Sequence, residues 1–363
     1  MQTTLWIESF KPFSHKKDHL SICFPLMRTT LLLCLLSLFF SCSNRIPLEK
    51  IYQRTQFLMG TLVEIKVVTD DPQEADVAMD RAFERMRTIE KEMTARHSGS
   101  WIERISREAV DRPLRIPAEL WRVIDTCQRY AILTNGAFDI TVGPITRLWQ
   151  FDKPLTEIPK REDVDEALRF VGFSGIHLNE QEGSIQLDRA GMGLDLGGAA
   201  KGYAVDKAVA VLKDLGIKAG IVNAGGDLIA FGQKPGGKPW HIGIQDPEQS
   251  GRILGAILLK DEALVTSGDY ERYIIYKGVK YHHIIDPKTG WPARGCKSVS
   301  VAYQNAFVAD ILSTALFVIG PEKGRALIEE LTGVEGMIVD ASNKIYISSG
   351  WKDQLNLQRN HMP

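Results

Sequence analysis

Several features that would narrow the function are scarce in this chain. Its 363 residues include 44 basic and 45 acidic ones, so the formal net charge is −1 and gives no sign of a polyanionic partner. No run of lysines or arginines resembles a nucleic-acid-binding arm. The remaining composition, 44% hydrophobic and 25% charged, is that of an ordinary globular protein with one large domain or two smaller ones.

Cysteine is also rare. Cys23, Cys34 and Cys42 lie in the N-terminal leader region, which leaves only Cys127 and Cys296 in the body of the chain. Their spacing is not that of a metal site. Two interpretations stay open for this pair, a disulfide that export would permit or two unpaired thiols.

The N-terminal apolar run, residues 31–40, is too short to span a bilayer, which takes about 20 residues, but it has the length of a signal-peptide core. Arg28 precedes it, and it ends in the letters FFSC, which resemble a bacterial lipobox. We therefore expect cleavage before Cys42, lipidation of that cysteine, and an exported protein anchored to the inner membrane and facing the periplasm. The alternative is an ordinary signal peptide or an uncleaved anchor. Met27 is the expected start, because residues 1–26 have no role in this scheme.

Beyond this leader, residues 1–42, we predict a polar tether over 43–55, one body over 56–350 and a tail over 351–363. In the second half of the body, hairpins between short strands outnumber strand–helix–strand units. This pattern predicts an α+β fold with a mainly antiparallel sheet and packed helices.

The stretch LDLGGAAKGYAVD, residues 194–206, places paired glycines and Lys201 before a helical pattern. It matches neither a P-loop nor a dinucleotide-binding fingerprint, because the glycine spacing differs from both. Glycines still allow close backbone approach, and free N–H groups at a helix start favour anions. Two interpretations have equal weight here: a site for an acidic ligand or carboxylate, or a glycine turn with a solvated lysine.

A second stretch, residues 305–316, predicts a buried helix because it is almost entirely apolar. Asp310 and Thr314 are four residues apart and share one face of it. Their oxygens suit Mg²⁺, which takes few protein ligands. The alternative is an Asp310 that pairs with a lysine or arginine, or that caps a neighbouring loop.

A third stretch, YHHIIDPKTG from Tyr281, contains adjacent histidines that point to opposite faces of a strand. At most one of them, His282 or His283, therefore faces a given site, where it could act as a general base. The alternative is a surface histidine beside a tight turn. Two further turns with small residues and an acid, at 135–144 and 223–227, indicate little by themselves.

Together these stretches resemble, in order, the motifs of the ApbE family, the Mg²⁺-dependent FAD:protein FMN transferases. The resemblance extends from Phe57 to the C-terminal region, and it implies an ApbE-like or T-fold-like α+β structure. Its motifs are FLMGT from Phe57, NGAFD from Asn135, DLGGAAKGY from Asp195, NAGGD from Asn223, TSG from Thr266, HIIDPKTG from His283, and Ala309-Asp310 with Thr314.

The resemblance implies a reaction in which the FAD pyrophosphate is split, AMP leaves, and FMN is joined through a phosphoester to a Ser or Thr of a target protein. Implied targets are exported or membrane electron-transfer subunits, such as those of sodium-pumping NADH:quinone reductase or Rnf-type complexes. An FAD pyrophosphatase that gives FMN and AMP, or a flavin-binding lipoprotein without chemistry, is the alternative.

The resemblance also implies roles for individual residues. His283 would accept the Ser/Thr proton, and Lys201 would contact FAD near its phosphates. Mg²⁺ would be held by the Gly198 carbonyl, the Asp310 carboxylate and the Thr314 hydroxyl. The implied flavin contacts are Met59, Trp101, Asp139, Lys201, Thr266 and Ile285; a plain core tryptophan is the alternative for Trp101.

Overall fold

The computed structural model describes residues 49–95, 97–151 and 157–357. The predicted leader, the lipidation residue Cys42 and the expected start Met27 lie outside these ranges, so those predictions stay open. Within the described residues, no helix combines the length and apolarity needed to cross a bilayer.

Eight α-helices lie in the described part of the chain, and their ends follow local sequence signals. The Asp71 carboxylate accepts a hydrogen bond of 2.8 Å from Gln73 N, and proline follows at the first helical position, so the sequence itself marks the start of this helix. The helices, α1 to α8 in chain order, are Pro72–Met93, Trp101–Glu108, Ala118–Leu133, Gly143–Trp149, Arg161–Leu168, Ala200–Asp214, Ala306–Ile319 and Pro321–Glu330.

The main sheet has eight strands, and every neighbouring pair in it is antiparallel, which confirms the predicted fold class. In spatial order its strands are β1 Lys50–Leu58, β2 Thr61–Thr69, β6 Ala219–Ala224, β7 Asp227–Phe231, β10 Glu262–Gly268, β13 Cys296–Tyr303, β14 Glu335–Asp340 and β15 Ile345–Ile347. Smaller sheets are formed by β3 Leu114–Arg115, β5 Ser184–Leu187 and β4 Ile176–Asn179, by β16 Asn356–Leu357, β9 Ile253–Leu259 and β8 Trp240–Gln245, and by the hairpin of β11 Tyr273–Tyr276 and β12 Val279–His282.

The main sheet buries both faces, because successive side chains of a strand point to opposite sides. On β7, Ile229 and Phe231 belong to the larger core cluster, which also contains the apolar faces of α1, α6 and α7. Leu228 and Ala230 belong to a second cluster, which contains the inward residues of β8 and β9. The helices thus cover one face of the main sheet and the three-stranded sheet covers the other.

Two predicted boundaries are wrong. The predicted tether over 43–55 overlaps β1, which starts at Lys50 and pairs with β2 along its full length. Because β1 is an edge strand with mostly exposed side chains, its polar composition imitates a tether. The predicted tail is partly structured, because Trp351 is buried in the second core cluster and β16 pairs with β9.

The two cysteines of the body are separate, buried thiols, so the unpaired interpretation is confirmed. Burial in apolar surroundings raises the pKa of Cys296 to about 12 and raises that of Cys127 as well. Neither thiol is therefore ionised at neutral pH, and both act as small apolar side chains of the core.

Candidate functional site

Helices α6 and α7 approach each other closely because glycines lie at their contact. A Cβ at Gly202 would be 2.2 Å from the carbonyl oxygen of Ala306 and 2.8 Å from Asp310 Cβ. Four residues earlier, a Cβ at Gly198 would be 2.9 Å from Thr314 Oγ1. Only glycine fits at 202, where the close atom is backbone, and a Cβ at 198 would displace the Thr314 side chain, so both glycines serve helix packing.

Each of the two helices is capped by an aspartate of the other. The backbone N–H of Gly202, in the first turn of α6, donates to Asp310 Oδ2 at 3.0 Å. In return, Ala306 N and Phe307 N at the start of α7 donate to the Asp206 carboxylate at 2.8 and 3.0 Å. These bonds satisfy N–H groups that a helix start leaves without an intrahelical partner. The predicted alternative that Asp310 has a capping role is thus correct, although it caps a helix and not a loop.

Lys201 points to the turn between β6 and β7. Gly225 and Gly226 both have positive φ and connect Ala224 to Asp227 as a two-residue hairpin loop. This turn places the buried Asp227 carboxylate in an ion pair with Lys201 Nζ. The lysine therefore has a carboxylate partner, as one of the two sequence interpretations requires, and the weak motif at 223–227 supplies that partner.

Two buried carboxyl groups and one lysine lie close together at this point. Burial raises the pKa of the Asp310 and Asp227 carboxyls, and each lies close to the Lys201 ammonium, which acts against that rise. Burial lowers the pKa of Lys201, but the two carboxylates outweigh it and raise the pKa above its ordinary value. Two buried carboxyls thus share one lysine, and the raised pKa of both favours a proton held between them.

The three residues predicted to hold a metal lie together at the α6–α7 contact. Gly198 faces Thr314, and Asp310 lies one turn before Thr314 on α7. Thr314 Oγ1 is also 3.4 Å from Ser267 Oγ. In the described part of the chain, no three His, Cys, Asp or Glu side chains converge as a metal cluster. A set with one carboxylate, one hydroxyl and one carbonyl is nevertheless chemically suited to Mg²⁺, which keeps water and phosphate oxygens as its other ligands.

His283 follows the last residue of β12 and is half-buried. Its backbone N–H donates to the Arg272 carbonyl at 3.0 Å, and its Nδ1 lies 3.3 Å from the same oxygen. A carbonyl oxygen only accepts, so Nδ1 carries the hydrogen of the neutral ring and Nε2 keeps a free lone pair. Burial, together with the charges of Arg272 and Lys201, lowers the pKa of His283 to about 3, so the ring is neutral at pH 7.

His282 points away from this site, which confirms that only one histidine of the pair faces it. Its Nε2 lies 2.8 Å from the Ala293 carbonyl, and its ring packs edge-on against Phe317. It is a buried core histidine.

Arg272 is a residue that the sequence analysis did not identify. Its guanidinium contacts the carbonyl of Gly60 at 3.4 Å, in the turn between β1 and β2. That turn consists of Met59 and Gly60, both with positive φ, and Met59 N donates to Glu90 Oε1 at 2.7 Å. The predicted flavin contact Met59 is therefore linked through Arg272 to His283. No local motif around Arg272 indicates this arrangement.

Two other predicted flavin contacts adjoin the same region. Thr266 Oγ1 bonds Ser300 Oγ at 2.8 Å, one residue before the Ser267 that contacts Thr314. Asp139 follows Phe138, whose ring lies 3.4 Å from the Cβ position of Gly198.

The Asp139 carboxylate already accepts hydrogen bonds from its own loop and from the more distant Phe173. Oδ1 accepts from Thr141 N at 2.8 Å and from Thr141 Oγ1 at 2.6 Å, and Oδ2 accepts from Phe173 N at 2.9 Å. Burial raises the pKa of Asp139, and these hydrogen bonds act against that rise. Its clearest role in the structure is therefore to fix the loop beside Gly198.

Trp101 and Ile285 lie in apolar surroundings. Trp101 is the first residue of α2 and packs on the larger core cluster, with the Arg104 guanidinium 4.2 Å from its ring centre. Ile285 is buried in a small cluster with Ile145, Trp149 and Val164. Their predicted flavin contacts stay predictions, and for Ile285 such a contact would come from the backbone.

A cavity of about 430 Å³ opens elsewhere, beside Tyr203. It is lined by Arg85, Glu119, Arg122, Val123, Thr126, Tyr203, Lys207 and Phe307. None of the predicted site residues lines it, so we place the chemistry at the α6–α7 contact, where the two carboxyls and Lys201 lie and where the charge of Lys201 acts on His283.

The fold and the site together define an α+β protein whose site has the groups for phosphate chemistry. Comparisons with known proteins narrow this class. The FAD:protein FMN transferase of Treponema pallidum (strain Nichols) is 31% identical over 346 residues, which cover 91% of this chain and 95% of that protein. That of Vibrio cholerae (strain ATCC 39541) is 32% identical over 308 residues, 82% of this chain and 91% of that protein.

Solved structures agree with these relatives. The ApbE protein of Thermotoga maritima is similar with a TM-score of 0.78 and 34% identity, over 84% of this chain and 99% of that one. The apo form of Pseudomonas stutzeri flavinyl transferase ApbE is similar with a TM-score of 0.74 and 28% identity, over 85% of this chain and 97% of that one. The ApbE family model matches residues 59–338, and the chain belongs to the ApbE family.

Proposed function

We propose that this protein is an FAD:protein FMN transferase, which moves FMN from FAD to a Ser or Thr hydroxyl of a target protein and releases AMP. The observation that carries the proposal is that Lys201 lies close enough to Asp310 and to a neutral His283 for its charge to act on both, in a chain of the ApbE family. The relatives named FAD:protein FMN transferase support the same activity.

In this reaction the acceptor oxygen attacks the phosphorus of the FMN half, and the bond from that phosphorus to the AMP oxygen breaks. The hydroxyl must lose its proton as the new P–O bond forms. His283 is suited to accept it, because Nδ1 is held as a donor by the Arg272 carbonyl and Nε2 is the basic atom. The anionic phosphates of bound FAD would raise the pKa of His283 from its low value and strengthen it as a base.

The phosphates require positive charge. Lys201, at the start of α6, would supply positive charge to them, and the N-terminal end of the helix dipole adds to it. The residues that would hold Mg²⁺ are Asp310, Thr314 and the carbonyl of Gly198, whose oxygens are the kind of ligand that Mg²⁺ takes. When bound, Mg²⁺ would neutralise phosphate charge as it does in other phosphoryl transfers.

We further propose that Met59, Thr266 and the backbone at Ile285 contact FAD, with Trp101 at the edge of its site and Asp139 acting through the loop that it fixes. We also propose export and anchoring to the inner membrane through a lipidated Cys42, with the catalytic body in the periplasm. The targets would then be exported or membrane electron-transfer subunits, such as those of sodium-pumping NADH:quinone reductase or Rnf-type complexes.

A transfer assay tests the proposal. Purified protein is mixed with FAD, Mg²⁺ and an acceptor domain from a sodium-pumping NADH:quinone reductase subunit, and the denatured acceptor is examined for covalent flavin fluorescence. We expect transfer that EDTA abolishes and that His283→Ala lowers by at least ~100-fold, as expected for loss of a general base. Release of AMP without any labelled acceptor would instead identify an FAD pyrophosphatase. Absence of both products with a competent acceptor would contradict the proposal.

A further inference from the structure

Arg272 carries a positive charge without a direct ion-pair partner among the described residues, although the charges of Arg272 and Lys201 act against the burial that raises the pKa of its neighbour Glu271. The other cation of the site, Lys201, is paired with Asp227. In the described part of the chain, no carboxylate lies within ion-pair distance of Arg272, and its guanidinium makes a single long hydrogen bond, 3.4 Å to the Gly60 carbonyl. A half-buried guanidinium in this state has most of its five N–H donors free for an anion.

The backbone of Arg272 fixes where that charge lies. Tyr273 pairs with His282 in the β11–β12 hairpin, so the residues just outside this pair, Arg272 and His283, are neighbours. The Arg272 carbonyl accepts from His283 N and Nδ1, while the guanidinium reaches the turn of Met59 and Gly60. The free N–H donors of Arg272 therefore lie between His283, the proposed general base, and the turn of Met59 and Gly60, which is predicted to contact the flavin.

We propose, on the basis of the transferase function above, that Arg272 is a substrate-binding residue that holds the phosphate of the FMN half of FAD. The transferred phosphorus must be within reach of the hydroxyl whose proton His283 accepts, and Arg272 is the cation whose backbone carbonyl accepts from His283. A guanidinium can bind two phosphate oxygens at once, so it fixes the orientation of the group as well as its charge. The AMP phosphate, which departs, has no such restraint from Arg272.

FMN and riboflavin provide the test, because they differ only in the phosphate. Binding to the full protein with Mg²⁺ is measured by quenching of flavin fluorescence for wild type, Arg272→Gln and Arg272→Lys. Arg294→Gln is the matched control, because Arg294 is exposed and also makes a 3.4 Å hydrogen bond to a backbone carbonyl, that of Lys280.

We expect Arg272→Gln to weaken FMN binding by ~10- to 100-fold, as for loss of a charge-assisted bidentate contact, and to change riboflavin binding by less than about twofold. Arg272→Lys keeps the charge but loses the paired hydrogen bonds of the guanidinium, so its affinity for FMN should lie between those of wild type and Arg272→Gln. Arg294→Gln should bind both flavins as wild type does. Thermal unfolding of each variant verifies that it is folded.

Two results would overturn the inference while the transferase proposal stands. One is unchanged FMN binding in Arg272→Gln. The other is an equal loss of affinity for FMN and riboflavin, which would mean that Arg272 shapes the pocket and does not bind the phosphate. Both require a wild type that transfers FMN. A wild type that binds neither FAD nor FMN and transfers nothing would instead overturn the proposed function and this inference with it.

Discussion

The adjacent residues His282 and His283 lie in different surroundings, because their side chains point to opposite sides at the end of β12. His283 meets the Arg272 carbonyl at the site, whereas His282 is buried against Phe317 and bonds the Ala293 carbonyl. Burial lowers the pKa of His282 to about 4, from an ordinary value of 6.5. The unfolded chain therefore binds a proton at His282 between about pH 6.5 and 4, while the folded chain does not.

This difference predicts a pH-dependent stability. The contribution of His282 is fully present above pH 6.5 and is lost as the pH falls toward 4, because protonation favours the unfolded state. We expect the free energy of unfolding of wild type to fall relative to that of His282→Asn by on the order of 3 kcal/mol between pH 7.5 and 4. Denaturant unfolding followed by tryptophan fluorescence measures it. Parallel pH curves for the two proteins would contradict the assignment.

Gly202 gives a second prediction for a single residue. Alanine there would place a Cβ 2.2 Å from the Ala306 carbonyl, so α6 and α7 must separate and Asp310 must shift. We expect Gly202→Ala to lower the free energy of unfolding by about 1–3 kcal/mol or more, the range for overpacking, and to abolish transfer. The control is Gly183→Ala, where φ is +60° and no atom lies within 4 Å of the added Cβ. It should cost about 1 kcal/mol from backbone strain and leave activity unchanged.

At the scale of elements, α6 and α7 act as one unit because each supplies the other's capping carboxylate. Asp310 accepts from α6, and Asp206 accepts from two N–H groups of α7. The contacts between the two segments repeat every four residues, which is about one helical turn: Gly198 lies against Thr314, Gly202 against Asp310, and Asp206 against Ala306. The proposed metal ligands on α7 are therefore positioned by α6.

Asp206 tests this coupling. Asp206→Ala removes the acceptor of two N–H groups, and we expect a loss of about 1–2 kcal/mol in the free energy of unfolding. Transfer should also fall, because the start of α7 frays and displaces Asp310. Asp206→Asn keeps one acceptor oxygen and should cost about half as much. Assays at pH 7.5 are suitable, since burial raises the pKa of Asp206 to about 6 and the carboxyl is still ionised there. Equal activity in Asp206→Ala and wild type would show that α7 holds its own position.

At the scale of the whole molecule, the sequence predicted elements better than contacts. The start of helix α7 lies within one residue of the predicted stretch, because an almost entirely apolar run is a local signal, and Asn305 caps the helix. The ion pair of Lys201 and Asp227 joins residues 26 apart, and Gly202 meets Asp310 from 108 residues away. Such contacts depend on the order of strands in the sheet, which no local pattern encodes. Arg272 was missed for the same reason, because its role depends on a hairpin neighbour.

The main sheet separates the second core cluster from the site, since the site lies with the helices on one face and Trp351 is buried in the cluster on the other. Trp351 is only 2% exposed, so Trp351→Ala should lower the free energy of unfolding by about 3–5 kcal/mol. Trp351→Phe, which keeps most of the apolar volume, should cost clearly less. Because no site residue belongs to this second cluster, kcat per folded molecule should stay within about twofold of wild type in both variants, below the ~10-fold change that 1.4 kcal/mol in the barrier would cause. A large fall in kcat at full folding would mean that the two faces are coupled through the strands.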